Sequence, residues 1–191
     1  MENVKIDYKN IFYPPGGILI WILILLELIT FGVSLIVLVL SSKENPSVYE
    51  LSASHLNATY GAMNTIFLLT SGFFMATSVH QFKNKNIEKS KLFLKLTMAG
   101  GILFLILKSF EYSQKIELGL TLGYDTFFNF YWLLTGFHVV HIIVGLVILL
   151  FIHKSLSSQN AQIEDVEASA AFWHMCDLIW LLLFPVLYLI F

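Results

Sequence analysis

Glu27, His138, His141, His174 and Asp177 all stand inside long apolar stretches of the chain. Imidazoles and carboxylates are the side chains that hold protons near neutral pH or bind metal ions. His138 and His141 lie three residues apart in "TGFHVVHIIVG", about 60° around a helix. Two histidines on one turn can share a metal, but a metal site needs more ligands. A haem held by two histidines needs them on opposite faces of the macrocycle, hence on different helices. His138 with His174, or His80 with His174, are the pairs that would serve. No cluster of Cys, His and carboxylates with recognised ligand spacing accompanies them, so packing is favoured over ligation. His174 and Asp177, in "FWHMCDLIW", stand at i and i+3, where a hydrogen bond within the helix is feasible. No nucleophile lies beside them, and a polar clamp between helices is the better reading.

The elements that carry these residues are set by composition. Of 191 residues, 57% are hydrophobic and 13% charged, and the mean hydropathy is +0.76. A soluble domain of this size cannot hide so much apolar surface. A bilayer core needs about 20 apolar residues per helix. Five such runs occur, near 18–40, 60–82, 92–112, 126–152 and 170–191. They are continuous, unlike the short alternating strands of an outer-membrane barrel. The expected fold is therefore all-α, an integral membrane bundle of five transmembrane helices. Residues 1–17 read as a cytoplasmic leader and 18–191 as one transmembrane domain. The first run is too long for a signal peptide, carries Glu27 and is followed by no small-residue cleavage site.

Lysine supplies every basic residue. Lys5, Lys9, Lys83, Lys85, Lys89, Lys91 and Lys154 fall on one side of these spans, Lys43 and Lys115 on the other. The positive-inside bias then places the N-terminus in the cytoplasm and the C-terminus outside. Lys95 and Lys108 fall within the third run, where they can snorkel toward its ends. The basic 83–91 link reads as a cytoplasmic loop rather than a nucleic-acid site. The 41–59 link holds the turn signal "SSKENPS", and 153–169 reads as a polar connector or the start of the last helix. The single cysteine, Cys176, excludes an internal disulfide.

An ionisable group at mid-bilayer costs at least about 2.5 kcal/mol. Glu27 stands about 13.5 Å into its helix, with Thr30 and Ser34 on the same face. It serves either as a proton-handling or polar anchor, or as a protonated carboxyl bonded to a neighbouring helix. Asn57, Asn64, Ser71 and Ser78 recur every seven residues with Gly61 on the same side. Such a stripe reads as a helix-packing seam. Glu111, in "SFEY", is expected at the outer boundary as an interfacial carboxylate. Pro185 is expected to bend the end of the last span.

Taken together, the segments resemble subunit III of the haem-copper oxidase superfamily (cytochrome c oxidase subunit III) from about Pro15 onward. "WILILLELITF" resembles the family helix with a membrane glutamate, here Glu27. "MNTIFLLTSGFFMATSVH" resembles the next, with Asn64, Thr65, Ser71, Gly72 and His80. "SFEY" matches a Glu-Tyr pair at Glu111 and Tyr112. "TGFHVVHIIVG", with Gly136 and Gly145, and "WHMCDLIWLLLFPVLYL", with Trp173 and Trp180, are the most specific blocks. The chain looks like the five-helix form, which lacks two helices that make a phospholipid cleft in the seven-helix form. A phospholipid here would need a wall from a neighbouring subunit.

The resemblance implies a non-catalytic subunit that binds no haem or copper, those being expected in partner subunits I and II. It implies support for the stability of a respiratory core and for its proton uptake, in a bacterial inner membrane among membrane lipids, with no nucleic-acid partner. Glu27, His138, His141, His174 and Asp177 are then expected to form a polar network inside the bundle. "FEYSQKIELGLTLGYDTFFNFYWLLTG" is also similar to an accessory branch associated with nitric oxide reductases, whose subunits would be the partners instead. A free-standing membrane cytochrome b using histidine pairs between helices is the reading from another class.

Overall fold

The computed structural model describes residues 14–158 and 160–191; most of the 1–17 leader therefore lies outside the described residues. Six helices follow in order: α1 (Ile18–Ser42), α2 (Pro46–Ala53), α3 (Ala58–Lys83), α4 (Ile87–Glu117), α5 (Thr126–Ser157) and α6 (Ile163–Tyr188). All but α2 are long and apolar enough to cross a membrane. The expected all-α bundle of five spans is what the chain forms.

The spans run past their apolar cores. α4 begins at Ile87 and α5 continues to Ser157, because Lys, Glu and Leu are good helix formers wherever the helix leaves the hydrocarbon. Two links expected from the sequence shrink accordingly. The basic 83–91 link becomes a turn over 84–86, and 153–169 divides between the end of α5 and, from Ile163, the start of the last helix, which was one of its two readings. Capping residues set these starts. Asn57 accepts from the Thr59 amide at 2.9 Å, Asn86 from Lys89 at 3.3 Å and Asp125 from Phe128 at 2.7 Å.

The turn signalled by "SSKENPS" stands at 43–45, and a short helix that the sequence did not announce follows it in the 41–59 link. Pro46, at the first position of α2, has no N–H to lose there and a φ suited to a helix. α2 rests on the end of α5. Tyr49 is buried with its ring 5.7 Å from Phe127 and 5.4 Å from Phe191, and burial pushes its phenol above the ordinary value. The Ser52 hydroxyl donates to Asp125, so the residue that caps α5 also holds α2.

α6 is the most buried span and packs against α1, α3 and α5, while α3 and α4 form the closest pair. The seam between α3 and α4 is polar. Ser71 donates to the Thr97 carbonyl and Ser78 to the Ser90 carbonyl, both at 2.8 Å. Asn64 is buried in the same stripe and Gly61 faces Phe184 of α6. Asn57 does not join them: it is exposed and caps the helix, standing just before its first turn.

Trp173 of α6 is the wedge of the bundle. Its indole N–H donates to Ser71 at 3.0 Å. Its ring fills the space beside Gly101 of α4 and Gly145 of α5, where an added Cβ would come within 2.6 and 2.9 Å of it. Overpacking a filled core costs about 1–3 kcal/mol. Gly101→Val is therefore expected to lower the thermal unfolding midpoint of the detergent-solubilised chain, and Leu133→Val, at a position 61% exposed, to leave it unchanged. Equal midpoints for the two variants would contradict the wedge.

Candidate functional site

Lys108 and Glu111 stand three residues apart on α4, which places them on one face. Lys108 is 1% exposed and Glu111 0%. This corrects both expectations for these residues: the lysine does not snorkel, and the glutamate is not an interfacial carboxylate. Lys108 lies about 13.5 Å before the end of its helix, too far inside for its stem to favour water over the partners waiting in the bundle.

Those partners close a complete hydrogen-bond ring. The Lys108 ammonium has three protons to donate. It lies 3.0 Å from Glu111 Oε2, 3.2 Å from the Tyr131 hydroxyl and 2.8 Å from the Tyr188 hydroxyl. The two phenols then donate to Glu111 Oε1, at 3.0 Å from Tyr131 and 2.7 Å from Tyr188. Each tyrosine accepts from the cation and donates to the anion. Four aromatic rings surround the ammonium at 4.8–5.5 Å, those of Tyr112, Tyr131, Trp180 and Tyr188, within cation–π range. Tyr112 turns its own hydroxyl to Thr135 at 2.8 Å. α4, α5 and α6 are thus tied at one point whose charges cancel and whose donors are all engaged. Such a site has no open position for a substrate, and its chemistry is that of a clamp.

The five membrane residues grouped by the sequence fall into two pairs and one separate ring. Glu27 of α1 and His141 of α5 approach to 3.4 Å. His141 Nδ1 lies 2.8 Å from the Phe137 carbonyl. A carbonyl only accepts, so Nδ1 carries a proton and Nε2 is the atom that faces Glu27. Glu27 keeps 21% of its side chain open. His174 and Asp177 of α6 also lie 3.4 Å apart. His138 joins neither pair. It is stacked on Trp180 at 5.5 Å and set edge-on to Phe104 at 5.5 Å, with neither ring nitrogen hydrogen-bonded among the described residues. The 60° between His138 and His141 is enough to turn one toward α4 and α6 and the other toward α1. Gly136 sits at the bundle edge, while Trp180 donates to Thr65 at 3.0 Å. Among the described residues, no group of three or more His, Cys, Asp or Glu side chains is placed to hold a metal.

The ring around Lys108 was only half visible in the sequence. The i, i+3 spacing of Lys108 and Glu111 signals a pair, whereas Tyr131 and Tyr188 lie 23 and 80 residues from the lysine and carry no local mark.

Comparison with known proteins bears on this geometry. The sequence model for cytochrome c oxidase subunit III matches residues 54–190. A cytochrome c oxidase subunit 3 from Corynebacterium diphtheriae is 28% identical over 143 residues, 72% of this chain and 69% of that protein. One from Rhipicephalus sanguineus is 32% identical over 132 residues, and there the match covers 66% of this chain and only 49% of the relative. A cytochrome bo(3) ubiquinol oxidase subunit 3 from Buchnera aphidicola is 28% identical over 173 residues, covering 89% of this chain and 84% of the relative.

Removing one partner of a buried ion pair costs about 3–5 kcal/mol, far more than removing both. Lys108→Met and Glu111→Gln are each expected to lower the unfolding midpoint and the yield from membranes. The double variant is expected to recover part of both losses, read by a double-mutant cycle on the midpoint. Strictly additive losses would contradict the closed ring.

Proposed function

The chain belongs to the cytochrome c oxidase subunit III family, and from that premise we propose that it is the non-catalytic third subunit of a haem-copper terminal oxidase. In this reading it sits in a bacterial cytoplasmic membrane beside subunits I and II, which carry the haem and copper. It stabilises the core and supports its proton uptake. The observation that carries the reading is the family match over residues 54–190.

Its geometry suits such a role. The Lys108 ring has every donor committed, so it supports rigidity rather than turnover. Glu27 and His141 face each other across α1 and α5, with a partly open carboxyl. They are the residues we assign to proton handling. Lys83, Lys85, Lys89, Lys91 and Lys154 gather at one end of the bundle, which supports a cytoplasmic N-terminus and an outward C-terminus. Phospholipid is a further ligand in this reading, held between this chain and its neighbours.

The test is purification in mild detergent through a tag on this chain, with an optical spectrum and mass spectrometry of what accompanies it. A haem-containing core with a copper-bearing subunit II is the expected result. Nitric oxide reductase subunits in its place would move the chain to the accessory branch, and a lone chain with its own stoichiometric haem would overturn the subunit reading. In the assembled complex, Glu27→Gln is expected to keep the haem content and lower turnover. Unchanged turnover across pH would remove Glu27 from proton handling.

A further inference from the structure

Asp177 is 6% exposed, yet its Oδ1 is buried with no hydrogen-bond partner among the described residues. Its Oδ2 lies against α3 at Gly72, where any Cβ would collide with it. The neighbouring His174 keeps 46% of its side chain open. Both residues line a groove of about 460 Å³ between α3 and α6, with Ala76, Leu178 and Leu181 in its walls. At Ala76 and His174 this groove meets a second, of about 280 Å³, that reaches Lys83 and Glu167.

The depth of the polar spot limits what can cover it. Asp177 stands about 21 Å from the start of α6 and about 16 Å from its end, near the middle of a bilayer. Acyl chains there offer no hydrogen-bond donor, and an ionisable side chain facing them costs at least about 2.5 kcal/mol. Lipid tails match the leucines of the groove and not its carboxylate. A membrane helix matches both. Ala76, a small residue in the α3 wall, lets a second backbone approach closely. A side chain on that helix would then reach His174, which stays open beside the carboxylate.

We infer that the α3–α6 groove is the docking surface for a transmembrane helix of the oxidase core, one that carries an N–H or O–H side chain at mid-membrane and sets it against the open imidazole of His174 beside Asp177. The inference rests on the subunit reading above. It adds which face of this chain meets the core and the chemistry of the residue that meets it.

The test is a photo-crosslink inside the assembled complex. Leu178→p-benzoylphenylalanine is introduced into the tagged full-length chain, and Phe151→p-benzoylphenylalanine, on the exposed side of α5, reports unspecific capture. The complex is purified on its haem signal, irradiated, and its adducts are mapped by mass spectrometry. The expected adduct from Leu178 lies on a core-subunit helix within one turn of a donor side chain, with none from Phe151. Adducts with lipid, detergent or this chain itself, or equal capture of the core from Phe151, overturn the groove and leave the subunit reading standing. A preparation with no haem-containing core overturns both.

Discussion

A lysine and a glutamate enclosed among apolar helices have to satisfy each other in full, and the arrangement of this bundle depends on how they do so. In water a three-residue spacing is worth a few tenths of a kcal/mol. Away from water, each unmet donor or acceptor costs far more. Lys108 and Glu111 use two neutral phenols as bridges, so that three donated protons and three accepted ones balance. Tyr131 must come from α5 and Tyr188 from the last turn of α6. The lateral positions of three helices are therefore set by one ring of hydrogen bonds.

Other contacts extend that constraint toward the same end of the molecule. Lys115, one side of α4 further along, donates to the His55 carbonyl at 2.6 Å. Trp132 donates to the Leu120 carbonyl at 2.8 Å, and α2 is fastened through Ser52 and Asp125. At the middle of the bundle the ties are thinner: Trp173 in its glycine-lined slot, and serine hydroxyls on the α3–α4 seam. The polar pairs with open surface, Glu27 with His141 and His174 with Asp177, sit at this level. The bundle is thus tied most closely at one end and carries its two ionisable pairs at mid-depth.

How much of this could be read from the sequence depended on the range of the interaction. The five spans follow from apolar runs, because bilayer thickness fixes their length. The buried stripe of α3 at Asn64, Ser71 and Ser78 follows helical period, which stops short of Asn57, where the helix begins and a cap takes over. α2 was not read from the sequence, because eight residues with a mixed pattern carry too little periodicity; its stability comes from Tyr49 packing on α5 and from Asp125. Lys108 was read as snorkelling because it stands near the end of its apolar run. Its true partners are close only in space. The same holds for His138 and His141, whose different neighbours no spacing on one helix reveals.

The most direct test of the enclosed ring is the reactivity of its amine. The folded protein in detergent is treated with an amine-acylating reagent, and modification is followed lysine by lysine with mass spectrometry. Lys43, Lys85 and Lys89 are exposed and label early in this account, while Lys108 stays unmodified until the protein is unfolded. Labelling of Lys108 alongside the exposed lysines in the folded protein would mean that its ammonium reaches water, and the ring that positions α4, α5 and α6 would not exist.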